Sequence, residues 1–584
     1  MRRVLLATAL AAASIAVPTA TSSVAAAPTT TSSNPWNVSV VRFAPGTTRA
    51  QMYTTVKNSG GVVTTDLSRI NALAVVSTNK AFRTDVKANA RVRAVWLDKV
   101  VRSTPPEAGA GAMVGNNTPQ LGHPGTDPVP DPFHNATSFL GETNPEGILQ
   151  WDDNRMNVPA AWAKTLGDRT VRVAVIDSGL DGSHKELAPN YDKQSSANTI
   201  PCNVLTLQFG PGLGQKDCSS TDTEGHGTWV GSRIAGAVNG FASNGVAPNV
   251  QVMGFKALST TLGGGLTTWI VDGMIRACDA DADLINMSLG GYDNPAVAGD
   301  VDDYMLWVAA TNYCRSKGTA IFASAGNEHV RVNRVAWNGL TGVGRVDSGP
   351  EGVASIAPGG TVAASDLRGF LETPAGVPGV VMVSATNNAI APQPAEASAA
   401  VKWPASAVGA RDQLTYYSSY GSRVDIAAPG GARKFNIPRT DGGAGDILYG
   451  GWGTLGALTA NGEICQDPSL GNLQTFACFK VLGSAFGWLQ GTSMSSPNAT
   501  GVAALTLAAH PALQGDPDGL LTKLRGSART NMVNLTGPND PTNTADSTIG
   551  GPCPTGWCHL DFDSPIPFSD AYGAGMVDAA AAVG

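Results

Sequence analysis

The 584 residues contain no C-x-x-C pair and no H-E-x-x-H run, and the seven histidines and eight cysteines show no cluster with metal-ligand spacing. These gaps argue against thioredoxin-type thiol chemistry, zinc modules and zincin-type catalysis. The pair Glu328-His329 stands alone and lacks that context. EF-hand spacing is missing as well. Past the N-terminus, no uncharged stretch is long enough for a membrane helix. Acidic charge is almost absent from the first 102 residues, which hold 13 Lys or Arg against 3 Asp or Glu; the remainder holds 26 against 43, a net −17. Opposite fields on two parts of one chain favour their docking. An acidic main part argues against nucleic acid as a partner.

Hydrophobic content is 42%, which suits a globular protein with a large core. Met1-Arg2-Arg3, the apolar run Val4 to Val17 and the small residues Val24-Ala25-Ala26-Ala27 have the build of a secretory signal peptide, assigned to residues 1–27. The expected localisation is secreted and extracellular, with no membrane in the mature form. In an exported chain an even number of cysteines favours disulfides. Pairing of sequence neighbours is expected: Cys202 with Cys218, Cys278 with Cys314, Cys465 with Cys478, and Cys553 with Cys558.

Residues 36–102 follow a β-α-β-β-α-β pattern: alternation over Asn37 to Phe43, a helix from Thr47 or Thr48 to Lys57, two strands between Val62 and Val76, a helix at Ala81 to Ala88, and a strand at Arg91 to Leu97. Residues 103–146, rich in Gly, Pro and Asn, read as a linker that includes a processing region. From 147 to 584, apolar strands (Val171 to Ile176, Val250 to Lys256, Leu284 to Ser288, Thr319 to Ser324) alternate with helical segments such as Thr267 to Asp279. Such alternation predicts an α/β domain with a mostly parallel sheet covered on both faces.

Three motifs carry chemistry: Val175-Ile176-Asp177-Ser178-Gly179, Gly225-His226-Gly227-Thr228 and Gly491-Thr492-Ser493-Met494-Ser495-Ser496-Pro497. A carboxylate ending a buried strand, an imidazole between glycines and a hydroxyl at a helix start are the parts of an activated serine nucleophile. Helix-start placement of His226 predicts a neutral imidazole. Pro497 is expected to fall among first-turn amides that lack helical partners. The order Asp, His, Ser differs from the chymotrypsin order and from the α/β-hydrolase order. By these motifs the chain resembles the subtilisin-like serine proteases, the subtilases.

The resemblance implies a subtilisin-like three-layer α/β fold preceded by a small α+β propeptide. It implies Asp177, His226 and Ser493 as catalytic residues, and Asn327 in Ala323-Ser324-Ala325-Gly326-Asn327 as an oxyanion-hole donor beside the Ser493 amide. Ser288, Leu289, Gly290, Ala325 and Gly326 are the expected contacts for an extended polypeptide substrate. The expected product is a monomeric, self-processed endopeptidase with its propeptide as intramolecular inhibitor and no cofactor for catalysis. Structural calcium stays open: Asp300-Val301-Asp302-Asp303 and Asp561-Phe562-Asp563 offer oxygens, although both read as acidic surface turns. His184, His123, His134, His329, His510 and His559 are assigned no catalytic role. Gly/Ala-rich stretches between Asn327 and Ser493 read as surface insertions. An acyl transferase using the same acyl-enzyme and a catalytically silent binding scaffold are the rival readings; an esterase is weaker, since Gly491-Thr492-Ser493-Met494-Ser495 does not fit G-x-S-x-G.

Overall fold

The computed structural model describes residues 34–103, 150–203, 205, 215–347, 367–388, 412–415, 417–432, 453–466, 478–481, 483–532 and 566–584. The signal-peptide segment, nearly all of the linker, Cys553 and Cys558, Asp561 and Asp563, His123, His134 and His559 lie outside the described residues.

The basic N-terminal segment forms β1 (Ser39–Phe43), α1 (Arg49–Asn58), β2 (Val62–Leu67), β3 (Ala72–Val76), α2 (Phe82–Lys87) and β4 (Val92–Leu97), as the periodicity predicts. Thr48 caps α1 in a reciprocal box with Gln51, an arrangement that contributes about 1 kcal/mol. The four strands pair antiparallel in the order β2-β3-β1-β4. Strand alternation gives this sheet two apolar faces. Val41, Phe43, Leu73 and Val75 meet Met52 and Val56 of α1 and Phe82 and Val86 of α2. Val38, Val40, Ala74, Val76 and Trp96 join the core of the following domain. A further strand, β5 (Val100–Ser103), leaves the unit altogether; the pattern reading did not foresee it.

The second domain is built on β6 (Arg172–Asp177), β7 (Ala197–Asn198), β8 (Gln251–Lys256), β9 (Gly265–Leu266), β10 (Leu284–Met287), β11 (Leu289–Asp293), β12 (Ala320–Ser324), β13 (Val332–Trp337), β14 (Leu340–Val346), β15 (Leu371–Thr373), β16 (Val380–Thr386) and β17 (Ile426–Pro429). Seven of these form one sheet in the order β17-β16-β12-β10-β6-β8-β7, every ladder parallel. Helices α3 (His226–Ala235), α4 (Thr267–Asp279) and α5 (Ala298–Ser316) cover it, followed by a short α6 (Glu463–Gln466) and the long α7 (Thr492–Ala509). Val173 and Val175 of β6 face α3 and α7. Ala174 and Ile176 face the other way, onto α4 and α5, so the domain has three layers. The chain leaves β6 toward β8 and later returns to β10 on its other side, which opens a crevice at the carboxyl ends of β6 and β10.

Three of the four expected disulfides are present: Cys202–Cys218, Cys278–Cys314 and Cys465–Cys478. The Asp300–Asp303 run is not a surface turn. It lies in the first turns of α5, and Asp303 is buried beneath the N-terminal unit because Trp96 Nε1 and Thr267 Oγ1 donate to it at 3.2 and 3.1 Å.

Candidate active site

Asp177 closes β6 at the crevice, fully buried. Its Oδ1 accepts the Ser178 amide at 2.7 Å and faces His226 Nδ1 at 2.8 Å. His226 is the first residue of α3, also fully buried. The approach is this close because residue 227 is glycine: a Cβ there would stand 2.2 Å from Gly179 O and 3.2 Å from Asp177 Oδ1. His226 Nε2, on the far side of the ring, is buried and makes no hydrogen bond among the described residues.

The helix-start argument for a neutral imidazole fails. Burial favours loss of the proton, but Asp177, by charge and hydrogen bond, and then Glu224 and Asp222 outweigh it and push His226 up to about 9. Three carboxylates exceed what the partial charge of one helix terminus supplies.

Two groups that hold this loop escaped the sequence reading. Asp222 Oδ1 accepts from Glu224 N, Gly225 N and Ser178 Oγ, all at 2.9 Å. Its Oδ2 accepts Thr228 N at 2.8 Å and Thr228 Oγ1 at 2.6 Å. Asp222 thus caps α3 from outside the helix. Ser178 Oγ in turn accepts the Gly227 amide at 2.9 Å. Beneath them Lys256 Nζ donates to Ser178 O and Thr223 Oγ1 at 2.9 Å, and burial lowers its proton affinity against the surrounding carboxylates. An Asp four residues before a helix-opening His was the available signal; it lay outside the usual N-cap spacing.

Ser493 is the second residue of α7, after Gly491, whose φ of 150° and ψ of 160° suit a residue without Cβ. Its Oγ lies 3.4 Å from Ser288 O, and Ser288 Oγ donates to Ser493 O at 2.8 Å. Pro497 therefore stands within the helix, past the first-turn amides expected to accommodate it. Without an N–H it cannot bond the carbonyl four residues back, and the Ser288 hydroxyl takes that carbonyl instead. The structure joins Asp177 to His226 and brings Ser493 to Ser288. The serine hydroxyl bonds Ser288 O, and His226 Nε2 makes no hydrogen bond among the described residues.

Asn327 follows β12, with Oδ1 accepting Thr492 N at 2.9 Å and Thr492 Oγ1 at 2.8 Å. Because an amide N–H can only donate, this fixes which end of the Asn327 side chain is oxygen. Thr492 Oγ1 also accepts Gly326 N at 3.2 Å, tying the Ala325–Gly326 backbone to α7.

The other expected contacts meet a strand of the protein itself. β5 pairs antiparallel with β11, Leu289 opposite Ser103 and Gly290 opposite Arg102. On its other side it pairs with β9, Val100 opposite Leu266 and Val101 opposite Gly265. It is an inner strand of a sheet ordered β13-β14-β15-β11-β5-β9. β5 runs antiparallel to β11 toward its Leu289 end, next to Ser288, whose hydroxyl bonds Ser493 O.

The remaining described histidines are structural: His184 Nε2 contacts Ala485 O, His329 Nδ1 contacts Ser418 O, and His510 Nε2 contacts Ala582 O, each at 3.1 Å. Of the residues singled out for calcium, Asp561 and Asp563 lie outside the described residues. Among the described residues no group of three or more His, Cys, Asp or Glu is placed to hold a metal ion, and Asp300 and Asp303 are taken by Lys99, Trp96 and Thr267. Among the described residues no helix is long and apolar enough to cross a membrane.

The family model described as the subtilase family matches residues 168–539. Subtilisin amylosacchariticus from Bacillus subtilis subsp. amylosacchariticus is 25% identical over 367 residues, 63% of this chain and 62% of that protein. The match thus spans less than two thirds of that relative's length. The major intracellular serine protease of Bacillus subtilis is 32% identical over 184 residues, 32% of this chain and 50% of that protein. Among solved structures, the epidermin leader peptide processing serine protease EpiP from Staphylococcus aureus has a TM-score of 0.56 at 16% identity, covering 94% of this chain and 97% of its own. Fervidolysin from Fervidobacterium pennivorans has a TM-score of 0.54 at 19% identity, covering 94% and 60%. At these identities the structural likeness is one of fold.

Proposed function

This chain belongs to the subtilase family, and on that premise we propose that it is a secreted serine endopeptidase made as a precursor, with Asp177, His226 and Ser493 as its catalytic residues. His226 takes the Ser493 proton as the hydroxyl attacks a peptide carbonyl, Asp177 orients and stabilises the imidazolium, and Asn327 with the Ser493 amide receives the oxyanion. Water then hydrolyses the acyl-enzyme, with no cofactor in the reaction. Residues 36–102 act as propeptide and intramolecular inhibitor, behind a signal peptide at 1–27 and ahead of a processed linker at 103–146. The mature enzyme, 147–584 with any linker residue that processing leaves, works as a monomer on extended polypeptides.

One observation carries this reading: β5 lies between β9 and β11 as an extended peptide would, directed at Ser493. Backbone pairing on both edges is how a sheet edge captures an unfolded segment of any sequence. The strand comes from the preceding unit, which favours self-cleavage just beyond Ser103.

Expression of the wild type beside Ser493→Ala tests it, with intact mass and digestion of a mixed peptide library as readouts. The wild type is expected to shorten to a chain beginning shortly after Ser103 and to cut peptides; the variant is expected to stay a full-length precursor and cut none. Equal processing and cutting by both proteins excludes Ser493 as the nucleophile.

A further inference from the structure

The long interval between Asn327 and Ser493 contains a second sheet that packs on α3, which begins at His226, and runs into α7, which carries Ser493. β18 (Thr454–Leu458), β19 (Phe479–Val481) and β20 (Ser484–Leu489) pair in the order β18-β20-β19. β20 runs through Gln490 directly into Gly491 and α7. The sheet also lies on α3: Trp229 Nε1 donates to Gly487 O at 3.0 Å, and Ala457 N donates to Ser232 Oγ at 2.9 Å. From α6, Glu463 N donates to Thr223 O at 3.1 Å and Ile464 N to Glu224 O at 3.0 Å, which binds it to the residues leading into Gly225 and His226. Cys465–Cys478 ties α6 back to the sheet.

This places an apolar wall against the imidazole loop. A Cβ on Gly225 would lie 3.3 Å from Leu458 Cδ2 and 3.5 Å from Ile464 Cδ1. Two carboxylates border the wall, Glu224 half-buried and Glu463 exposed. Burial pushes Glu224 up to about 7; His226 opposes this, and Asp177, Asp222 and Glu463 add to it. Lys256, the cation beneath this loop, is held by Ser178 O and Thr223 Oγ1.

The strand register says which substrate residue meets the wall. β12, with the Ala325–Gly326 segment at its end, lies on one side of β10, and β6, with Asp177 and His226, lies on the other. Side chains of an extended strand alternate. The residue opposite Ser288 turns toward Ala325–Gly326, and its predecessor, opposite Leu289, turns toward the His226 loop.

The geometry points to Leu458, Ile464, Glu224 and Glu463 as the subsite for the substrate residue immediately before the cleaved one, selecting lysine or arginine. The aliphatic stem of either residue covers the apolar wall while its charged end reaches the carboxylates. This rests on the endopeptidase reading.

The test is kcat/KM of the processed wild-type enzyme for three peptides that differ only at that residue, as lysine, norleucine or alanine, at low and high salt. Lysine is expected over norleucine by about fivefold or more, shrinking with salt, and norleucine over alanine. Glu224→Gln with Glu463→Gln should bring lysine and norleucine together, and Ile464→Ala should bring norleucine and alanine together. Equal cleavage of all three by the wild type overturns the inference and leaves the endopeptidase reading standing. Cleavage of none, with Ser493 unlabelled by a phosphonate, overturns both. A uniform fall for all three peptides in the variants, with their ratios unchanged, makes the sheet a scaffold and also overturns it.

Discussion

His226 shows how a single side chain is tuned by what surrounds it. In the proposed mechanism only the neutral imidazole accepts the serine proton, and Asp177, Glu224 and Asp222 hold it protonated above its ordinary value. Activity is therefore expected to fall as pH drops through a midpoint above about 6.5 and approaching 9, as measured by the pH dependence of kcat/KM. Asp222→Asn removes one of those charges and the acceptor for Thr228, so it should move the midpoint down and cost about 2–4 kcal/mol in urea unfolding. An unmoved midpoint would show that Asp222 does not reach the imidazole electrostatically.

At the scale of elements, α7 depends on a bond that helices do not ordinarily make. Ser288 Oγ supplies the donor that Pro497 withholds from Ser493 O. In the Ser493→Ala background, Ser288→Ala is expected to cost about 1–3 kcal/mol by leaving a buried carbonyl unpaired. Pro497→Ala should restore a backbone donor and recover much of that loss, a coupling readable in a double-mutant cycle by thermal unfolding. Strictly additive losses would refute the compensation. The elements themselves were legible: Val171 to Ile176 and Thr267 to Asp279 announced β6 and α4 nearly to the residue, because burial on both faces of a parallel sheet leaves continuous apolar runs. β5 was not legible. Four residues whose partners lie on two other strands carry no periodicity of their own. Asp222 was missed and the acidic run in α5 misread for a related reason, since what a carboxylate does depends on partners remote in sequence. Asp177, His226 and Ser493 stood out because each sits in a short motif of small residues.

For the whole molecule, the charge division read from the sequence becomes an interface. Lys99 Nζ reaches Asp293, Asp300 at 2.9 Å and Tyr292 O at 3.2 Å. Asp98 accepts Thr268 N at 3.3 Å and the Thr268 hydroxyl, so a residue of one unit caps a helix of the other. Lys99 faces three carboxylates, Asp293, Asp300 and Asp303. Burial, with Asp303 adding to it, holds Asp98 and Asp293 well above the usual range, and burial raises Asp303 to about 6. Carboxylates that bind protons more tightly when docked than apart take up protons on docking. Their contribution is full below their ordinary value near 4 and is lost as pH rises through about 6 and beyond, while Lys99, raised in turn, keeps its charge throughout. If the chain is cut as proposed, the N-terminal fragment should therefore co-elute with the rest of the chain at pH 5 and separate at pH 8, and Lys99→Met should weaken retention most at the higher pH. Retention that strengthens with pH would reverse this account.

Were β5 released by the proposed cleavage, β9 and β11 would face each other across a slot one strand wide. Main-chain amides and carbonyls line it, and they can be matched only by a polypeptide free of its own secondary structure. How fast a protein target is cut should then follow how often a few of its residues come loose, so two proteins with the same cleavage sequence will differ in lifetime by the free energy of local opening at that sequence.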